Sequence, residues 1–181
     1  VIEAAVTARN LSASVDMRAK GEERFGSPKH KIAGQPDLAM LEQAMIAGKI
    51  ICYAQGFNML SAASSAFDWD LQLASVARIW RAGCIIRSAM LDDMAKAMEG
   101  GAETLAFDDY FADLLDRHGE ALRQFCTLAL ANGLSSPALM AGASWFDQLR
   151  SKRSTANMLQ AQRDFFGRHS FERLDAEGAH H

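Results

Sequence analysis

No apolar run in this chain approaches the ~20 uninterrupted residues of a membrane span, and its N-terminus lacks the basic-then-apolar layout of a secretory signal. Both absences lead to the expectation of a soluble, cytoplasmic protein. Charge of one sign is lacking too. Against 22 acidic residues stand 19 basic ones, and a net charge of −3 gives no long-range pull toward nucleic acid or anionic lipid. Cysteine is scarce: Cys52, Cys84 and Cys126 are odd in number, far apart and each set in an apolar helical pattern. That suits reduced core thiols better than disulfides or a zinc site. No Gly-rich phosphate loop follows a strand, so no dinucleotide-binding unit is expected within the chain.

Metal and nucleophile constellations are equally missing. His30 falls in a loop, His118 near a helix end and His169 after the last helix, none with a second histidine or cysteine at a ligand-like spacing. His180 and His181 are adjacent at the terminus, as a tag remnant or a natural tail would place them. The pairs Ser64–Ser65 and Ser135–Ser136 have no histidine nearby in sequence and read as surface or capping residues.

What the sequence has is helix after helix and no convincing strand. Its 181 residues suffice for one domain with a sizeable core. The chain opens at Val1 in mid-helix pattern with no capping residue ahead, so a preceding segment is expected. Val1 to Arg18 reads as one helix, followed by an exposed loop GEERFGSPKHKIAGQP. Asp37 offers an N-cap for a long helix to about Phe67, with Leu41, Met45, Ile46, Ile50, Tyr53, Phe57 and Leu60 on its buried stripe. Asp70 is the expected cap of a second long helix whose stripe runs through Leu73, Val76, Ile79, Trp80, Ile86, Met90 and Met94 to a stop at Gly100 and Gly101. Asp108 or Asp109 starts a shorter helix ending near His118, and Glu120 to Asn132 forms another with Gly133 as its stop. Ser136, followed by Pro137 at the first helical position, opens a helix to about Arg150, and Ser154 or Thr155 opens the last. Some seven helices put the fold in the all-α class. Trp69, Trp80, Phe57 and the methionines read as core at helical spacing.

The stretch NMLQAQRDFFGRH, Asn157 to His169, carries the chemistry. Arginine presents a planar fork of donors that pairs with two phosphate oxygens and keeps its charge at neutral pH. Arg163 lies one turn beyond Leu159 and one short of Phe166, on the side such a helix would present to a neighbour. Gly167 is the expected left-handed stop, letting His169 return toward the helix end.

The strings KIICYAQGFNML, ARIWRAGCIIRSAML and ANMLQAQRDFFGRHSFERLD, in this order and at these separations, resemble the C-terminal helical domain of 6-phosphogluconate dehydrogenase. The resemblance runs from Val1 essentially to the end. It implies an NADP- or NAD-dependent enzyme of the pentose phosphate pathway that oxidises 6-phosphogluconate and decarboxylates it to ribulose 5-phosphate. It also implies an N-terminal Rossmann domain that binds the cofactor and carries the catalytic lysine and glutamate, so no catalytic residue is expected in this chain, and the chain alone is expected to be inactive.

Three substrate-binding residues follow from the resemblance. Arg9 matches the phosphate-binding arginine after the family's LIGEAVFAR, here VIEAAVTAR, with Thr7 in place of the phenylalanine. Arg163 is the arginine of QRD, and His169 is the histidine two residues past the glycine. In the family these last two reach across a homodimer into the partner's active site. The expected organisation is thus a helical domain over residues 1–166 and a tail over 167–181 that exchanges with the partner subunit. Arg81 and Arg87 of WRAGCIIRS are expected in buried pairs with Asp or Glu. Ser154–Thr155 stands where the family commonly has proline, and capping by either side chain should still start the helix. The family's tail usually continues a few residues past the position of His181, often to a tryptophan, which leads to the expectation of trimming or disorder there. The acidic and small residues after Phe171 are expected to be ordered only where the tail docks. The alternative reading is a non-catalytic helical dimerisation or scaffold module of the same descent, which would need neither Arg163 nor His169. A related β-hydroxyacid dehydrogenase is disfavoured because those enzymes lack this tail pattern.

Overall fold

The computed structural model describes residues 1–28 and 37–181. These form two compact units, Val1–Ser144 and Trp145–His181. The all-α expectation holds: helices account for nearly all regular structure.

In the first unit, α1 (Ile2–Ala13) and α2 (Val15–Phe25) replace the single opening helix read from the sequence. The break is at Ser14, whose ψ of 69° leaves the helical region and whose hydroxyl donates to the Asn10 carbonyl at 3.1 Å. A serine hydroxyl bonded to its own backbone competes with the helical ladder. The Arg18 guanidinium takes up the freed Ser12 carbonyl at 3.1 Å. The first five residues of the expected loop are therefore helix, since Gly21 to Phe25 complete α2. Gly26 to Pro28 follow it outside any helix, and residues 29–36, with His30, lie outside the described residues.

Helix α3 (Leu38–Ala66) begins where Asp37 was expected to cap it, the carboxylate accepting from Ala39 N at 3.0 Å and Met40 N at 3.3 Å. It lies along α6 (Asp109–Ala131), and this pair builds the core. Ile50, Ile51, Ala54 and Phe57 of α3, with Phe111, Leu115 and Leu122 of α6, are almost completely sequestered from water. Small residues set the spacing on α3's other side. Gly48 lies under Leu139 of α7 (Pro137–Leu149), where an added Cβ would fall 2.4 Å from Leu139 Cδ2. Met45, expected on the buried stripe, is exposed.

The second long helix of the sequence reading is two short ones, α4 (Leu73–Ile79) and α5 (Leu91–Glu99). Asp70 does not cap α4. It sits at φ 48°, and Gln72 is the N-cap residue, with no side-chain bond. After Ile79 the chain leaves the helix, and Gly83 at φ 77° takes the left-handed conformation that glycine adopts without a Cβ clash. Ser88 then helps restart the helix by accepting from Met90 N at 3.3 Å. Because the helix ends at Ile79, the periodic stripe does not run on to Ile86, which is exposed, as is Ile79 at the helix end, although the stripe put both inside. Trp69 is exposed as well, while Trp80 rests half-buried with its ring 5.4 Å from that of Phe57.

Arg81 pairs with Asp92 at 2.7 Å and Arg78 with Glu99, so α4 and the turn after it are tied to α5. These pairs are exposed rather than buried, and such pairs contribute about 0–1 kcal/mol. None of the three cysteines is a buried core thiol, for Cys52 is exposed and Cys84 and Cys126 are half-buried.

Between Asp109 and Ala131 the sequence reading had two helices, and the structure has one. Asp108 caps it, accepting from Tyr110 N at 3.2 Å and Phe111 N at 3.3 Å. Gly119 does not end it: a mid-helix glycine costs about 1 kcal/mol, and burial of Leu115 and Leu122 on either side offsets that. Gly133 is the stop, at φ 67°. Pro137 opens α7 as expected, but the buried Ser136 hydroxyl has no hydrogen-bond partner and so does not cap it.

In the second unit, the end of α7 is followed by α8 (Ala156–Gly167) and a two-stranded antiparallel ribbon, β1 (Phe171–Glu172) with β2 (Ala179–His180). The register pairs Phe171 with His180 and Glu172 with Ala179. No strand was expected here, because two-residue strands carry no alternation to detect.

Candidate functional site

Helix α8 starts with the Ser154 hydroxyl accepting from Ala156 N at 3.2 Å. It continues through Gly167. The left-handed residue at its end is Arg168 (φ 50°, ψ 49°), not the glycine as expected. The Arg168 N–H closes the last turn on the Asp164 carbonyl at 2.8 Å. Ser170 is left-handed as well, at φ 62°. His169 therefore sits between two left-handed residues, on a turn that folds back over the helix end.

The role of Gly167 differs from the one expected. A Cβ on it would come within 3.1 Å of Cδ2 and Nε2 of His169, so its bare α-carbon makes room for the imidazole. The ring is thereby brought to the same side of α8 as Arg163. The two side chains, with Gln162, Phe166 and Gly167, line a shallow hollow of about 300 Å³. Both are exposed, and the Arg163 guanidinium has one contact among the described residues, to Gln160 Oε1 at 3.4 Å. An exposed guanidinium fork with an imidazole beside it is suited to a multiply charged oxyanion. Arg9 stands exposed on α1, in the first unit.

Two residues that support the site, Asp164 and Gln160, were missed by sequence reasoning. Asp164 is the one buried residue of α8, and its Oδ1 accepts the Ser170 N–H at 2.7 Å and faces His181 Nδ1 at 2.8 Å. The hydrogen bond from His181, the backbone N–H of Ser170 and the positive charge of Arg168 together hold its carboxyl below the usual carboxylate range. Gln160 Nε2 donates to the Ser170 carbonyl at 2.5 Å. The signal was present in QAQRD, where Gln160 and Asp164 are four residues apart and so share a helix face.

Met158, Leu159, Phe165 and Phe166 leave α8 with large exposed apolar side chains. Among the described residues no three His, Cys, Asp or Glu side chains gather as a metal would require, and no helix is long and apolar enough to cross a membrane.

Fold and site together define an all-α domain whose C-terminal unit carries an exposed cationic turn. The chain belongs to the family of 6-phosphogluconate dehydrogenase C-terminal domains, whose model matches residues 1–181. Among its relatives is the decarboxylating 6-phosphogluconate dehydrogenase of Lactococcus lactis subsp. lactis, 39% identical over the whole of this chain and 39% of that protein. The NADP(+)-dependent, decarboxylating enzyme of Bacillus subtilis is 37% identical over the whole chain and 40% of its own length. The fold is also similar to that of Plasmodium falciparum 6-phosphogluconate dehydrogenase, a protein studied in its apo form, with its cofactor NADP+ and with its substrate 6-phosphogluconate. The match has a TM-score of 0.89 at 36% identity, covering 98% of this chain and 39% of that one. The chain thus spans about two fifths of the length of these relatives.

Proposed function

We propose that this chain is the substrate-binding and dimer-forming domain of a decarboxylating 6-phosphogluconate dehydrogenase, which converts 6-phosphogluconate to ribulose 5-phosphate and reduces NADP or NAD. The observation that carries the reading is the convergence of Arg163 and His169 on one hollow, in a chain similar along its whole length to such enzymes. Arg163 places two parallel N–H donors on the phosphate, and His169 adds a donor from the other side of the hollow. Arg9 contributes a second guanidinium. Two forks suit a dianion, which neither would neutralise alone.

The nicotinamide cofactor supplies the hydride acceptor. The strands among the described residues are the two-residue β1 and β2, which build no βαβ unit to cradle a dinucleotide. Its binding, with the catalytic acid and base, is assigned to the N-terminal domain of the family, and residues of this chain act on the phosphate end of the substrate. The second unit, residues 167–181 included, engages the partner in a homodimer, so that Leu159, Phe165 and Phe166 are covered there and Arg163 and His169 complete the partner's site.

Isothermal titration of 6-phosphogluconate at low salt, with gluconate as the unphosphorylated control, tests this reading. Losing one charge-assisted partner costs about 1.5–3 kcal/mol, so Arg163→Ala should weaken binding roughly ten- to a hundredfold. Affinity that is equal for gluconate, or unmoved by the substitution, would overturn the assignment.

A further inference from the structure

We propose that Gln160 and Asp164 are positioning residues for the phosphate-binding pair: together they clamp Ser170 and so fix the turn that presents His169, while Gln160 also steadies Arg163. The proposal rests on the reading of Arg163 and His169 as phosphate ligands.

Two left-handed non-glycine residues flank His169, and L residues leave that conformation unless their surroundings hold them there. What holds them comes from α8 itself. Asp164 Oδ1 accepts the Ser170 N–H at 2.7 Å, and Gln160 Nε2 donates to the Ser170 carbonyl at 2.5 Å. A single bond would leave the peptide free to pivot about it. Bonds to both the N–H and the C=O of one residue set the orientation of both its peptide planes. His169, immediately before Ser170, shares one of those planes, so the direction of its Cα–Cβ bond is set as well.

The burial of Asp164 points the same way. Its neighbours Arg163 and Phe165 are exposed, yet Asp164 is 8% exposed, because its carboxylate is turned into the returning chain rather than toward water. A buried carboxylate is retained only where it is hydrogen-bonded, and here its partners are the Ser170 N–H and His181 Nδ1.

Gln160 has a second use. With Nε2 committed to the Ser170 carbonyl, its Oε1 faces Arg163 Nη1 at 3.4 Å. The amide orientation is fixed by chemistry: a carbonyl needs a donor and a guanidinium needs an acceptor, so a flipped amide would lose both contacts. One side chain thus bridges the guanidinium and the turn of the imidazole. The hollow between Arg163 and His169 keeps its width because both of its sides are referred to Gln160.

The test is a double-mutant cycle on the complete enzyme of which this chain is the proposed substrate-binding domain, where the cofactor-binding domain supports turnover, with KM for 6-phosphogluconate read apart from kcat. Asp164→Ala should raise KM roughly tenfold when His169 is present and have little further effect on His169→Ala, since residues acting through one another are non-additive. Asp164→Asn keeps an acceptor oxygen for Ser170 and should restore most of the affinity. Gln160→Met, which keeps length and loses both contacts, should likewise raise KM with Arg163 and His169 present and less than additively when either is replaced. It serves as the decisive variant if Asp164→Ala does not fold. Multiplicative effects of Asp164→Ala and His169→Ala, or no KM change in Asp164→Ala and Gln160→Met, overturn the clamp while leaving the phosphate reading intact. No change in His169→Ala and Arg163→Ala overturns the phosphate reading itself, and the clamp with it.

Discussion

The imidazole of His169 lies against the α-carbon of Gly167, so close that a methyl group there would come within 3.1 Å of two ring atoms. Gly167 is helical and does not need left-handed freedom. Alanine should therefore suit its backbone, adding about 0.5–1 kcal/mol of stability by restricting the unfolded chain. The ring must give way instead. Gly167→Ala should leave thermal stability equal or slightly raised while weakening binding of 6-phosphogluconate severalfold. Paired melting and titration curves check this, and a loss of stability without loss of affinity would contradict it.

Arg163→Lys separates charge from geometry. An ammonium restores the positive charge but cannot offer two parallel donors to one phosphate. Its affinity should fall between those of the native chain and Arg163→Ala, and depend more steeply on salt than the native affinity does, as a point charge near solvent is screened.

The core makes its own prediction at Gly48. The Cβ of alanine would fall 2.4 Å from Leu139 Cδ2, a distance real contacts do not show, so α3 and α7 must shift or Leu139 must leave its rotamer. Overpacking of this kind costs about 1–3 kcal/mol. Urea unfolding of Gly48→Ala should show a lower midpoint at unchanged slope, and Leu139→Ala in the same chain should recover part of the loss.

The folded-back turn should respond to acid. Hydrogen bonding from His181 and Ser170 depresses the carboxyl of Asp164, so the folded protein binds its proton less readily than the unfolded chain does. A depressed carboxylate contributes stability that is complete above its ordinary pKa, about 3.9, and disappears as pH falls through the lower folded value. Protection of the Ser170 amide from hydrogen exchange, corrected for intrinsic rate, should hold near neutrality and decline only below about pH 4. In Asp164→Asn that step should vanish.

Helix starts were legible where an aspartate does the capping. Asp37 and Asp108, the latter expected as one of two candidates with Asp109, each lie next to the first helical residue, and their carboxylates accept from N–H groups of the first turn. Asp70 has the same chemistry but sits at φ 48°, a backbone state that no residue type announces. The breaks at Ser14 and Gly83 were missed for a related reason: apolar periodicity continues across both, and neither proline nor a glycine pair marks them. Gly119 misled in the opposite direction, because burial of Leu115 and Leu122 outweighs what one glycine takes from a helix.

At the site, Arg163 and His169 were visible through a motif that resemblance made specific. The hollow they line comes from a left-handed Arg168, which the sequence attributed to Gly167. Gln160 and Asp164 went unnoticed because neither residue type is unusual on a helix. Their meaning appears only when the chain after α8 turns back and brings Ser170 to them.

All the groups that shape this turn lie close together along the chain. Ser170 is six residues from Asp164 and ten from Gln160, and His181 is seventeen from Asp164. Loops of about ten residues close in roughly 10–100 ns, far faster than the docking of α3 on α6 across the 42 residues that separate Ala66 from Asp109. The hairpin behind His169 can therefore assemble early, at the pace of its own short loops. On the proposed reading, a phosphate would meet a turn whose ordering entropy has already been spent in folding rather than in binding.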